Sequence, residues 1–158
     1  MGWNGSGWRG MEFRICLKQN ATFEGAMIAE NWTRGKMLSI DAQSIRIYER
    51  PTITEDRIVL PNELLALIKR SVVSRMEHHQ VLRDAGHESK TGILLHGAPG
   101  TGKTLVSKLL VSLCPDHTAI VPVAMNTETI RNAFQLAAYL QPAMVVIDDV
   151  DLTYLSRH

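Results

Sequence analysis

The sequence predicts an α/β fold built on a parallel sheet, and three stretches carry that prediction. Residues 92–96, "GILLH", form a short apolar run that leads into the glycine-rich "GAPGTGKT" of 97–104 and the helical pattern "KTLVSKLLVSL". Residues 119–124, "AIVPVA", read as a second strand, and 127–140, "TETIRNAFQLAAYL", as a second helix. A third apolar run, "AMVVI" at 143–147, ends in Asp148 and Asp149. Strand, helix, strand, helix, strand is the alternation of layered α/β proteins, and a continuously apolar strand suits a sheet covered on both faces.

The elements follow in order. Residues 1–11 are glycine- and tryptophan-rich without periodicity and read as a disordered leader, with Met11 as an alternative start. Residues 12–50 favour short strands, a small β-rich segment: "FRICL" alternates, "GKMLSI" follows Gly35, and "SIRIYE" sets Ile45 and Ile47 inward against Arg46 and Tyr48. Pro51 and the polar "TITED" mark a boundary, after which 51–158 reads as one nucleotide-binding type of unit for reasons given below. Residues 62–85 predict a helix capped by Asn62 and stopped by Gly86, with Leu64, Leu65, Ile68, Val72, Met76 and Leu82 at helical spacing. His78, His79 and His87 lie there without the carboxylate or cysteine set of a metal site. Pro122 lacks an N–H donor and points to an edge position or a bulge. On the helix at 127–140, Ile130, Ala133, Phe134, Ala137 and Ala138 make the face expected to pack on the sheet.

Composition excludes some classes of function. The net charge of +1 over 158 residues offers no basic stripe for nucleic acid. No apolar run approaches the ~18 residues of a membrane span. Cys16 and Cys114 lie far apart in sequence, so a reducing compartment, the cytoplasm, is the expectation. The Gly2 to Ser6 pattern and the sequons at Asn20 and Asn31 are read as coincidental.

Gly97-Ala98-Pro99-Gly100-Thr101-Gly102-Lys103-Thr104 matches G-x-x-x-x-G-K-[ST] at every fixed position, with Leu105 continuing the helix. Phosphate oxygens need several backbone N–H groups at close range, and glycine lets the chain wrap without a Cβ in the way. A helix beginning near Gly102 aims its N-terminal dipole at the same anion. Lys103 then reaches the β- and γ-phosphates, and Thr104 offers its hydroxyl to Mg²⁺. An apolar strand ending in Asp148 brings a carboxylate to the C-terminal sheet edge, where open α/β sheets bind ligands. Asp148 is the expected Mg²⁺ holder, through water, and Asp149 the expected group to orient or deprotonate the attacking water. The bland alternative is that Asp148, Asp149 and Asp151 form a solvated loop.

"GILLHGAPGTGKT" followed by "PAMVVIDDVDLTYLSR" resembles the AAA family of P-loop ATPases. Within it, Arg50-Pro51, Val59-Leu60-Pro61 and Gly86 through Lys90-Thr91-Gly92 are similar to the lead-in of the mitochondrial respiratory complex III assembly chaperone subgroup and its bacterial relatives. The likeness covers 50–158 and implies a P-loop NTPase sheet, ATP and Mg²⁺ as cofactors, and a hexameric ring that remodels or translocates a protein substrate. Three departures accompany it. The acidic pair is Asp148-Asp149, where most members carry Asp-Glu. Only "MNT" separates the second strand from the next helix, so the longer aromatic pore loop is missing. The family's sensor strand, arginine fingers and helical lid would lie beyond His158, so the chain is expected to be truncated after the acidic pair and to bind nucleotide without appreciable turnover. By the family's strand order a further strand separates 93–96 from 144–147, and those two are not expected to pair directly. A nucleotide-binding module without turnover and a small-molecule P-loop kinase are the other readings.

Overall fold

The computed structural model describes residues 13–16, 33–41, 44–88 and 90–148, with backbone alone for 13–16. The leader, both sequon asparagines, Asp149 and Asp151 lie outside the described residues. The chain divides into two compact units, Met1–Arg50 with Asp116–His158, and Pro51–Pro115.

Among the described residues, the first unit holds a five-stranded mixed sheet with a helix packed on it. Strands β1 (Phe13–Cys16), β2 (Met37–Ile40), β3 (Ser44–Tyr48), β4 (Thr118–Pro122) and β5 (Ala143–Val145) lie in the order β1-β3-β2-β4-β5. Strands β1, β3 and β2 pair antiparallel, whereas β2 with β4 and β4 with β5 pair parallel. The β2–β3 turn is held by Asp41, whose carboxylate accepts the Ser44 N–H at 2.7 Å and the Ser44 hydroxyl at 2.8 Å. Ile45 and Ile47 face inward as their alternation predicts. Pro122 is not at an edge: β4 is flanked on both sides, and Pro122 stands at the end of its ladder, opposite Ile40. There it forfeits only a terminal bond, and Val123 N donates to Ile40 O at 2.9 Å in the next position.

The helix packed on this sheet is Thr127–Tyr139. Its buried residues are Thr129, Ala133 and Leu136, with Leu140 just beyond, and Phe134 is exposed. The expected face through Phe134 and Ala138 is therefore rotated by about one residue. Positions 129, 133, 136 and 140 also recur at helical spacing, and that stripe reaches the apolar cluster of Leu38, Ile40, Ile45 and Ile120. Size alone did not decide which stripe faces inward.

The second unit is helical. A 3₁₀ turn (Glu55–Arg57) precedes α1 (Asn62–Glu77), a one-residue break, α2 (His79–Asp84) and α3 (Lys103–Leu113); the helix at 127–139 is then α4. Asn62 is the first helical residue, not the cap; Pro61 occupies the capping position. The break falls at His78. The rings of His78 and His79 bond the carbonyls of Ser74 (2.8 Å) and Met76 (2.9 Å), and the Ser74 carbonyl also accepts the His78 backbone N–H at 3.1 Å. Gly86 ends α2 as predicted. It sits at φ 74°, its N–H donates to Arg83 O, and His87 N–H donates to Leu82 O, the paired bonds of a glycine-terminated helix. Ser112 ties the lead-in to α3: its hydroxyl donates to Pro51 O at 2.6 Å and accepts the Ile53 N–H at 3.0 Å.

The strand expected at 92–96 does not form. Residues 91–97 carry no β-ladder among the described residues, and Leu94 is 80% exposed. A short apolar run becomes a strand only when neighbours satisfy its backbone groups, and no described strand does so here.

Candidate phosphate-binding loop

The loop is built from residues adjacent in sequence. Gly100 and Gly102 take φ of 81° and 88°, left-handed conformations that strain any residue with a Cβ. At Gly97 the constraint is steric, since a Cβ would lie 3.1 Å from the Thr101 hydroxyl oxygen. That hydroxyl donates to Ala98 O at 2.8 Å and pins the turn. Lys103 curls back over the loop, its ammonium donating to Gly97 O at 2.8 Å and Ala98 O at 3.0 Å.

Gly102 sits at the capping position of α3 and offers no side chain to the helix amides, and the first turn of α3 holds no acidic residue. The N-terminal amides and the positive end of the helix dipole thus meet no carboxylate or hydroxyl from the cap. Left-handed glycines, a lysine ammonium held over the turn and a helix start without a capping side chain form a donor set that fits a phosphate chain. Thr104 and Leu105 follow in the first turn of α3, both half-buried. An open concavity beside α1, lined by Glu55, Asn62, Leu65, Lys69 and Ser74, includes no residue of this loop.

The structure thus brings together Gly97, Ala98, Thr101, Gly102 and Lys103, with Pro99 and Gly100 at the turn. Asp148 belongs to the other compact unit, half-buried, three residues beyond β5. Among the described residues no cluster of three or more His, Cys, Asp or Glu is placed to hold a metal ion, and no helix is long and apolar enough to cross a membrane.

Residues 93–158 match the family described as ATPase family associated with various cellular activities (AAA). The match takes in the loop and both aspartates and implies nucleotide binding within an α/β P-loop NTPase fold. The chain is 28% identical to proteasome-activating nucleotidase 2 of Haloferax volcanii over 124 residues, 73% of this chain and 30% of that protein. It is 26% identical to proteasome-activating nucleotidase of Methanocaldococcus jannaschii over 153 residues, 91% of this chain and 34% of that protein. A third relative, from Saccharolobus solfataricus, is 26% identical over 117 residues, 69% of this chain and 30% of the relative. The chain therefore spans about a third of the length of these curated relatives. No solved structure gives a significant match.

Ser112 and the sheet residues Leu38 and Ile120 carry no signal in the sequence beyond polarity and apolarity. Their partners lie about 60 to 80 positions away, so no local pattern singles them out.

Proposed function

We propose that residues 97–105 bind the phosphates of ATP with Mg²⁺, and that the complete protein hydrolyses ATP to remodel or translocate a protein substrate as a ring. One observation carries the binding half: the glycine loop closes onto a helix start with no capping side chain while Lys103 lies across its carbonyls. In this reading the loop amides cradle the phosphates, and Lys103 exchanges its two carbonyl acceptors for β- and γ-phosphate oxygens. Thr104 and Asp148 serve Mg²⁺, Asp148 through water, and Asp149 orients the attacking water. Mg²⁺, when bound, neutralises charge developing on the phosphates.

The name of the relatives joins nucleotide hydrolysis to activation of a proteasome, which supports a protein as the substrate here. Those relatives are not named as respiratory-complex assembly chaperones, so the reading stays at the level of the family rather than that subgroup. A cytoplasmic hexamer is the assembly this reading entails. One feature favours binding without efficient turnover: Asp149 is a methylene shorter than the glutamate most AAA proteins carry there, and misplacement by about 1 Å can cost roughly 10²-fold.

Titration with a fluorescent ATP analogue tests the proposal. Saturable binding by the wild type and none by Lys103→Ala is the expected result; equal affinities would remove the loop from the function.

A further inference from the structure

One carbonyl in the phosphate loop is claimed by several donors. Ala98 O accepts the Thr101 hydroxyl at 2.8 Å and the Lys103 ammonium at 3.0 Å, while the Thr101 N–H reaches it only at 3.4 Å. A carbonyl oxygen has two lone pairs, and 3.4 Å lies beyond the usual N–H···O range, so the two side chains close the turn. A ligand treats them differently. Under the functional reading above, Lys103 leaves Gly97 O and Ala98 O for phosphate oxygens. The Thr101 hydroxyl has no such second task, and it stays.

Little else fixes the shape of the loop. Gly100 and Gly102 flank Thr101 at φ of 81° and 88°, and glycine takes either sign of φ readily and loses the most freedom when ordered. Gly97 has a different reason to be glycine. It is not among the left-handed glycines. A Cβ there would lie 3.1 Å from the Thr101 hydroxyl oxygen and 3.9 Å from the Thr101 Cβ; its chain neighbours aside, no other residue comes within 4 Å. The space that Gly97 leaves is therefore space for the Thr101 side chain.

We propose that Thr101 is a positioning residue for nucleotide binding: its hydroxyl keeps the turn at 98–101 closed once Lys103 has moved to the phosphates, and Gly97 makes room for that hydroxyl. The inference rests on the reading of 97–105 as the phosphate site and names the group that pre-forms it. Pre-organising a loop lowers the ordering cost of binding. The Thr101–Ala98 bond is exposed, so water competes for it and the stability of the fold owes it little.

The experiment titrates the fluorescent ATP analogue against wild type, Thr101→Ala, Thr101→Ser, Gly97→Ala and the Gly97→Ala/Thr101→Ala double variant, with urea unfolding alongside. Thr101→Ala should bind about 5-fold more weakly, the worth of one hydrogen bond, with its urea midpoint unchanged. Thr101→Ser, which keeps the hydroxyl and drops the methyl, should restore the affinity to within about twofold. Gly97→Ala should weaken binding beside Thr101 and have less than about a twofold effect in the Thr101→Ala background, because contacting residues are not additive. Wild-type affinity in Thr101→Ala would overturn the inference, as would a Thr101→Ser as weak as Thr101→Ala. The same factor from Gly97→Ala in both backgrounds would overturn the role given to Gly97. A Thr101→Ala that loses its fold makes the bond structural and overturns the positioning role; should Gly97→Ala lose its fold, the two variants at 101 decide. Failure of the functional reading looks different: wild type does not bind, or Lys103→Ala binds as wild type does.

Discussion

Helices α3 and α4 begin in opposite ways. At α4, Asn126 lies in extended backbone, its side chain accepts the Thr129 N–H at 2.8 Å, and Glu128 sits in the first turn against the helix dipole. At α3, Gly102 is left-handed at φ 88°, offers no capping bond, and is followed by Lys103 with no acid in the first turn. One terminus is satisfied by its own sequence. The other forgoes that satisfaction, and the residue types that would stabilise it are the ones that would compete with a phosphate. Under the proposed function, a missing cap beside glycines and a lysine leaves room for a phosphate rather than marking a weak helix.

The largest expected effect lies in what holds α4 down. Leu136, 1% exposed within the sheet cluster, should cost about 2–5 kcal/mol on truncation to alanine. Urea unfolding measures the loss, and nucleotide affinity per folded molecule should not change. A Leu136→Ala variant with wild-type stability would show that α4 is not held by this packing.

Gly102→Ala comes next. The new Cβ meets nothing within 4 Å, so its cost is the left-handed conformation alone, about 1–2 kcal/mol. It should weaken nucleotide binding as well, because the strain sits in the loop. Gly86→Ala carries the same conformational burden at φ 74° and serves as the contrast: a comparable stability loss with unchanged affinity. If both glycine variants bind nucleotide equally well, the loop's shape is not what matters.

Asn126→Ala sharpens the comparison directly. Loss of the cap should cost about 1 kcal/mol, visible as a lower thermal midpoint, and leave binding intact. Lys103→Ala should do the reverse, with stability changed by no more than about 0.5 kcal/mol and binding lost. A large destabilisation by Lys103→Ala would make its two carbonyl bonds structural and weaken the functional reading.

The loop was legible in the sequence because each of its constraints is local. Gly97, Ala98, Thr101 and Lys103 bond to one another within six positions, so spacing alone carries the geometry. Gly86 and the alternation of Ile45 with Ile47 were legible for the same reason. Three misread stretches depend on partners the local pattern does not reveal. Pro122 looked like an edge residue because nothing in "AIVPVA" announces that β2 pairs beside it. Phe134 looked like a core residue because hydrophobicity does not say which of two stripes meets the sheet. "GILLH" looked like a strand, yet apolarity without a partner strand leaves 92–96 outside any described ladder.

By itself, then, the sequence determined the chemistry of the phosphate loop, the helix that follows it and the apolar runs available for a sheet, since these are set by steric and dipolar effects within a few residues. Tertiary structure alone decided that residues 37–48 extend the same sheet as β4 and β5, and that Leu38 stands in one row with Ile120 and Val145. Pairing between strands about 80 residues apart is chosen by which apolar faces bury together at least cost in chain entropy. That choice is a property of the assembled core, and no window along the chain contains it.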